Sequence, residues 1–289
     1  MKQTENHNTV SDTVLVTAGT GKIGSRIMKR LAERGVNARA GSRSARPAFD
    51  WNDRSTWDAA LDNVSSVYLA YLPDLVVPGA QAAISEFVKL ARTKGVQRAV
   101  LLSGRGEEEG YACEEIVRTS GMESTIVRAS WFMQNFTEGD FLPMILEGVI
   151  AVPARDIPEP FVDVNDIADV VVAALTEDGH EGELYEVTGP RSMTFSEIAS
   201  EISGATDRTI PFVRISRQQF AHVLTAAGAP AIISWLMDYL FGTVLDGRNA
   251  KVGDGVQRAL GRNPADFRDF AKRAVDRGTW NEAVQDEVA

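Results

Sequence analysis

Val14-Leu15-Val16-Thr17-Ala18-Gly19-Thr20-Gly21-Lys22-Ile23-Gly24 decides the fold of this chain. A short apolar run gives way to a glycine-rich turn, and the turn to a stretch with Ile23, Ile27 and Leu31 at helical spacing before Gly35. The first pattern is that of a buried strand and the second that of one apolar helix face. Gly35 stands where a helix would end on a left-handed residue. Gly19, Gly21 and Gly24 form G-x-G-x-x-G in the strand–turn–helix context that makes it a dinucleotide fingerprint. Glycines there let the backbone turn sharply and approach a pyrophosphate, while free N–H groups at the helix start attract the anion. The expected contacts are Gly19, Thr20, Gly21, Lys22, Ile23 and Gly24.

Outward from this turn, Val/Leu/Ile-rich runs at 14–17, 37–40, 67–70, 99–102 and 125–127 alternate with helical patterns at 22–34, 55–61, 80–94 and 112–120. Gly95 and Gly121 fall just past two of these helices. Strands that are apolar on consecutive residues and joined by helices indicate a parallel sheet covered on both faces. The expected fold class is therefore α/β, a doubly wound parallel (Rossmann) sheet, with a smaller, mostly helical C-terminal lobe. We expect a tail over 1–12, a nucleotide-binding domain over 13–190 and a substrate-side lobe over 191–289, with some exchange of segments. Ligands of such sheets bind beyond the carboxyl ends of the strands. That rule directs attention to 19–22, 41–44, 71–74, 103–105 and 129–135.

Past residue 140, residues 161–166 lead into a helix carrying Ile167, Val170, Val171 and Ala174, and 184–188 reads as one more strand. Thr194-x-x-Glu197 and Ser216-x-x-Gln219 are capping boxes, and Asn263-Pro264 places proline at a first helical position. Ile232, Ile233, Trp235, Leu236, Tyr239 and Leu240 make an apolar helix, read as core of the smaller lobe.

The 289 residues carry a net charge of −10, which argues against nucleic acid, since a sequence-independent binder needs a basic stripe. No apolar run reaches the roughly 18 residues of a membrane span, and residues 1–12 lack the apolar segment of a signal peptide. A cytoplasmic protein is expected. One cysteine, Cys113, and three scattered histidines leave no metal-ligand pattern.

A site selective for NAD usually places a carboxylate at the end of the second strand. Here that position reads Gly41-Ser42-Arg43-Ser44, and no acid follows until Asp50. A guanidinium with flanking hydroxyls suits a 2′-phosphate, so Ser42 and Arg43 point to NADP(H).

At this point the chain resembles the NmrA-like branch of the atypical short-chain dehydrogenases/reductases. The matching segments are 14–24, Phe49-Asp50-Trp51, Tyr68-Leu69 with Pro73, 121–135, 161–169 and 184–190, spread over residues 13 to 203. The resemblance implies a Rossmann domain that binds NADP(H), with Pro73 and Ser103 beside the cofactor, and a small lobe over the substrate cleft. It also implies either an NADPH-dependent reductase of quinones, imines or dyes, or a regulator that senses the dinucleotide without turning it over.

Three departures matter. The family's Thr-Gly-Ala-Thr-Gly is here Thr17-Ala18-Gly19-Thr20-Gly21. The superfamily's Tyr-x-x-x-Lys pair would put lysine at 115 if Tyr111 were its tyrosine, and the residue is Glu115. The interval from Ser103 to Tyr111 is also shorter than usual. Ser103 and Tyr111 are nonetheless the candidate catalytic residues. Without an acid pair, the protein has only to orient the acceptor, with water delivering the proton. Trp131 and Asn135, after the strand at 125–127, are the expected contacts of a flat, small-molecule substrate, with at least one of Phe132 and Phe136 supplying core. Glu114 and Glu115 read as solvated helix charges. The oligomeric state stays open between monomer and homodimer.

Overall fold

The computed structural model describes residues 13–281, so the expected tail over 1–12 lies outside the described residues. The chain begins with β1 (Thr13–Thr17), α1 (Lys22–Glu33), β2 (Ala38–Gly41), the short α2 (Trp57–Ala60), β3 (Val64–Leu69), α3 (Ala80–Thr93), β4 (Arg98–Gly104), α4 (Glu108–Arg118) and β5 (Glu123–Ala129). Next come α5 (Asn135–Glu138), α6 (Leu142–Leu146), β6 (Ile150–Val152), α7 (Val164–Thr176) and β7 (Leu184–Val187). The C-terminal part holds α8 (Phe195–Thr206), β8 (Phe212–Arg214), α9 (Arg217–Ala226), α10 (Ala231–Tyr239), α11 (Gly255–Leu260) and α12 (Phe267–Asp276).

Among the described residues, β2-β1-β3-β4-β5-β7 form one parallel sheet in that order. The order reverses between β1 and β3, which makes the carboxyl ends of these two strands the binding crevice of the fold. Ile23, Ile27 and Leu31 of α1 pack with α7 on one face, where the helix spacing read from sequence placed them. Trp57, Ile84, Phe87 and Val117 cover the other face. Both faces are thus dry, and for that reason β1 is buried at every residue. Gly35, Gly95 and Gly121 all take positive φ just after their helices, as expected of left-handed caps.

A third core unites residues 133–161 with 193–280 around Phe136, Phe141, Phe161, Phe195, Phe267 and Trp280. Each of these rings, fully removed from water, contributes about 1.5–3 kcal/mol. Trp280 also donates its indole N–H to the carbonyl of Phe136 (2.7 Å), tying the last described turn to the segment after β5. Both capping boxes are present, at Thr194/Glu197 and Ser216/Gln219.

Two expectations are corrected. The helix expected from 112 starts at Glu108, since the consecutive acids Glu108 and Glu109 suit the positive end of a helix. Pro264 precedes α12, whose N-cap is Asp266, accepting from the Arg268 N–H. The pair β6–β8 went unread because three residues are too few to show a period. No helix among the described residues is long and apolar enough to cross a membrane.

Candidate functional site

The turn between β1 and α1 is held by backbone geometry. A Cβ on Gly24 would lie 2.1 Å from the carbonyl oxygen of Ala18, so only glycine lets α1 start this close to the turn. A Cβ on Gly19 would lie 2.9 Å from Ala40 on the neighbouring strand. Ala18 has φ +52°, a left-handed conformation that costs an L-residue about 1–2 kcal/mol. The departure from the family's glycine pattern therefore falls on the residue whose φ favours glycine. The turn is kept, with strain at Ala18.

Gly21 caps α1 without a side-chain hydrogen bond, and the first turn carries no acid. Its leading N–H groups and dipole are thus open to an anion. Gly21, Lys22, Ile23 and Gly24 line one end of a cavity of about 450 Å³. The Lys22 ammonium donates to Asn135 Oδ1 (3.0 Å), and burial lowers its pKa from the usual lysine range. The floor is fixed across the reversal of strand order. The Thr17 hydroxyl donates to the Tyr68 carbonyl (2.9 Å) and accepts from the Ala70 N–H (2.8 Å). Trp51 donates its indole N–H to the Ala70 carbonyl (2.9 Å).

The other end of the same cavity combines aromatic surface with buried polar groups. Trp131 lies against Phe141, Phe161, Phe195 and Phe241, and one side of it meets the cavity. Ile233, Leu236, Met237 and Leu240 close the wall. Four buried side-chain atoms among the described residues have no hydrogen-bond partner: the Tyr68 hydroxyl, Ser103 Oγ, Arg105 Nε and Glu107 Oε2. All four belong to residues lining this cavity. Unpaired buried polar groups are rare in folded proteins, and these four are concentrated in residues around this cavity.

Carboxyl groups shape the electrostatics. Burial, then the adjacent Asp74 charge, pushes Glu107 well above the usual carboxylate range. Burial also raises Asp74, opposed by hydrogen bonds from the Val76 N–H and from Glu107. Glu159 is pushed up to about 7 by burial, although the Ser130 hydroxyl donates to it (2.7 Å) and Arg105 draws it down. Arg105 is itself held by the carbonyls of Asn249 and Lys251 and by Glu186.

The structure brings together many of the residues singled out from sequence. Lys22, Ile23, Gly21 and Gly24 meet Pro73, Ser103, Trp131 and Asn135 around one cavity. Gly19 and Thr20 stand within the turn itself. Ser42 and Arg43 follow β2, outside the cavity wall; Ser42 Oγ lies 3.3 Å from Ser44 Oγ. Arg43 is exposed and has no partner among the described residues.

Tyr111 is not brought in. Its hydroxyl accepts the Gly106 N–H (3.1 Å), and its ring is a platform for the Arg128 guanidinium, 4.1 Å from the ring centre. Glu114 is corrected as well: instead of a solvated charge it is buried and takes both oxygens to Arg128 (2.7 and 2.6 Å), while Glu115 is exposed. The helix around Ile232 is also corrected. It buries only Leu236 and gives its inner face to the cavity, leaving Ile232 and Trp235 exposed. Of the pair Phe132 and Phe136, at least one of which was expected in the core, Phe136 is core and Phe132 lines the cavity. Tyr68, Glu107 and Glu159 were not foreseen. Tyr68 sits within a strand pattern, and Glu107 opens an acidic run that reads as helix surface.

Comparison with known proteins gives the family. The sequence model of the NmrA-like family matches residues 108–245. The chain is 32% identical to the oxidoreductase YesF of Bacillus subtilis over 270 residues, 89% of this chain and 93% of that protein. It is 30% identical to the NAD(P)H azoreductase of Xenophilus azovorans, over 90% and 96% of the two chains. Among solved structures, the triphenylmethane reductase of Citrobacter sp. in complex with NADP(H) superposes with a TM-score of 0.73 at 21% identity, covering 91% of this chain and 99% of that one. With likeness of this extent along nearly the whole of both chains, the protein belongs to the NmrA-like family.

Proposed function

We propose that this protein is an NADPH-dependent reductase that passes hydride to a small, flat, conjugated acceptor such as a quinone, imine or dye. The observation that carries this reading is a single cavity that runs from the bare N-terminus of α1 to an aromatic, largely apolar end. The residues fit the dinucleotide at each part. Gly21 to Gly24 offer N–H groups to the pyrophosphate, with Lys22 as the nearby cation. Ser42 and Arg43 supply hydroxyl and guanidinium for a 2′-phosphate, and no acid stands beside them to repel it. Pro73 and Ser103, on the loop after β3 and at the end of β4, flank the middle of the cavity.

When bound, the reduced cofactor supplies the hydride. The chain's own residues do the rest. Trp131, Phe132 and Phe141 give an aromatic surface on which a flat acceptor can lie. Ile233, Leu236 and Met237 exclude water, which strengthens every polar contact inside. The names of the relatives support the chemistry: an NAD(P)H azoreductase and a triphenylmethane reductase both act on conjugated molecules.

The test is to follow NADPH absorbance with the purified protein across quinones, cationic dyes, cyclic imines and enones. Oxidation with at least one class is expected. Tight NADPH binding with no oxidation across the panel would instead make the protein a sensor of the dinucleotide.

A further inference from the structure

We propose that the cavity at the carboxyl ends of β6 and β8 is a second ligand site, which takes a phosphate group through Arg155, Arg214 and Arg217. The proposal goes beyond the reductive reading and does not depend on it.

The fold brings the three guanidinium groups to one place. β6 and β8 run parallel with Val152 beside Arg214, and the Ile215 N–H donates to the Val152 carbonyl (3.3 Å). The segments leaving the two strands therefore start side by side. Arg155 follows β6, Arg214 ends β8, and Arg217 is the first residue of α9. All three line one cavity of about 240 Å³, together with Phe241 and Gly242 of the turn 240–244 after α10. Gly242 is part of the construction. A Cβ there would come within 2.0 Å of Arg217 Nη1, so glycine is what leaves the guanidinium room over the turn.

Charge then points to the ligand. Among the described residues, no carboxylate lines this cavity. The chain carries 40 acidic residues against 30 lysines and arginines, so an arginine here rarely lacks an acid. Arg191 pairs with Asp266 and Glu201, and Arg262 with Asp166 and Asp169. Arg155 and Arg214, by contrast, are exposed and have no partner among the described residues. Arg217 meets Asp238 at 3.4 Å, with both side chains more than half exposed (55% and 53%), where such a pair contributes little. Arg217 also stands at the positive end of α9, where the helix dipole disfavours a cation. Three like charges so placed repel one another, and a doubly charged oxyanion relieves that repulsion. Guanidinium forks match the oxygens of phosphate in pairs, which selects phosphate over a point-like anion.

The site is distinct from the nucleotide cavity. No described residue lines both. They share a wall instead: Phe241 borders the smaller cavity and packs on Trp131, ring centres 5.0 Å apart, and Trp131 lines the larger one. The smaller cavity falls below the roughly 300–1,000 Å³ of pockets that enclose larger ligands. It suits inorganic phosphate or a small phosphate monoester, not a dinucleotide.

The test is an NMR titration of the ¹⁵N-labelled full chain with inorganic phosphate and with phenyl phosphate, at ionic strength held constant with sodium chloride. The Gly242 amide resonance is expected to move and to saturate. Arg155→Gln/Arg214→Gln removes two side chains that hold nothing inside the protein, so thermal unfolding without phosphate should be unchanged. Binding followed at Gly242 should weaken about tenfold or more, from the loss of two charge-assisted contacts. Arg43→Ala should leave the Gly242 response intact, because it lies outside this cavity. Tighter binding of phenyl phosphate would identify an organic monoester as the ligand, and equal binding the free anion; either supports the site. A Gly242 resonance that stays still in wild type overturns the proposal. So does an unchanged midpoint in the double variant, or phosphate binding that Arg43→Ala abolishes, which would place the anion at the nucleotide site.

Discussion

Replacing Arg43 with alanine separates cofactor recognition from folding. Arg43 is exposed at the end of β2 and bonds to nothing else among the described residues. Its removal therefore breaks no internal contact, and surface substitutions of that kind change stability by less than about 0.5 kcal/mol. The whole effect should appear in binding. Charge-assisted hydrogen bonds contribute about 1.5–3 kcal/mol each, so the loss of one corresponds to roughly ten- to a hundredfold in NADPH affinity. NADH, lacking the 2′-phosphate, should bind wild type and variant alike. Titration calorimetry with both nucleotides, with thermal unfolding as the control, measures this. Equal losses for NADPH and NADH, or no loss for either, would refute the assignment of Arg43.

Three further outcomes follow from the geometry. Gly24→Ala puts a methyl 2.1 Å from a backbone oxygen, so α1 must move by about 1 Å; NADPH binding should weaken, checked by fluorescence titration, and turnover should fall about a hundredfold. Tyr111→Phe removes only a hydrogen bond from the Gly106 N–H, so stability should fall by about 1 kcal/mol and turnover should persist; a hundredfold fall in kcat would show that Tyr111 acts in the chemistry. Glu114→Ala leaves Arg128 with only the looser Glu186 contact (3.8 Å) and the Tyr111 ring, and should destabilise by about 3 kcal/mol in urea unfolding, whereas replacing both partners with methionine should recover much of that.

The end of the cavity at the β1–α1 turn was legible in sequence because its determinants are local. Three glycines, a preceding apolar run and a following helical stripe lie within a few turns of one another, and the strand-end rule located Lys22, Pro73, Ser103, Trp131 and Asn135. The acceptor end was not legible in the same way. The rule marked 71–74 and 103–105, yet nothing local distinguishes Asp74 from a solvated loop acid. Glu107 is raised by its burial and by Asp74, more than thirty residues earlier, and it fits because Gly104 has no side chain. Glu159 reaches the cavity because residues 133–161 join the C-terminal core, an association without a periodic signature. Glu114 looked solvated because its partner, Arg128, lies on the next strand.

Deuterium transfer tests the central claim most directly. NADPH carrying deuterium at the transferable C4 position is incubated with the protein and a cyclic imine or enone that accepts hydride at carbon. The product is then examined by mass spectrometry and NMR. A cavity that joins the glycine turn to an aromatic, largely apolar end predicts deuterium on the acceptor carbon. Bound NADPH that leaves every such acceptor unlabelled would contradict direct transfer.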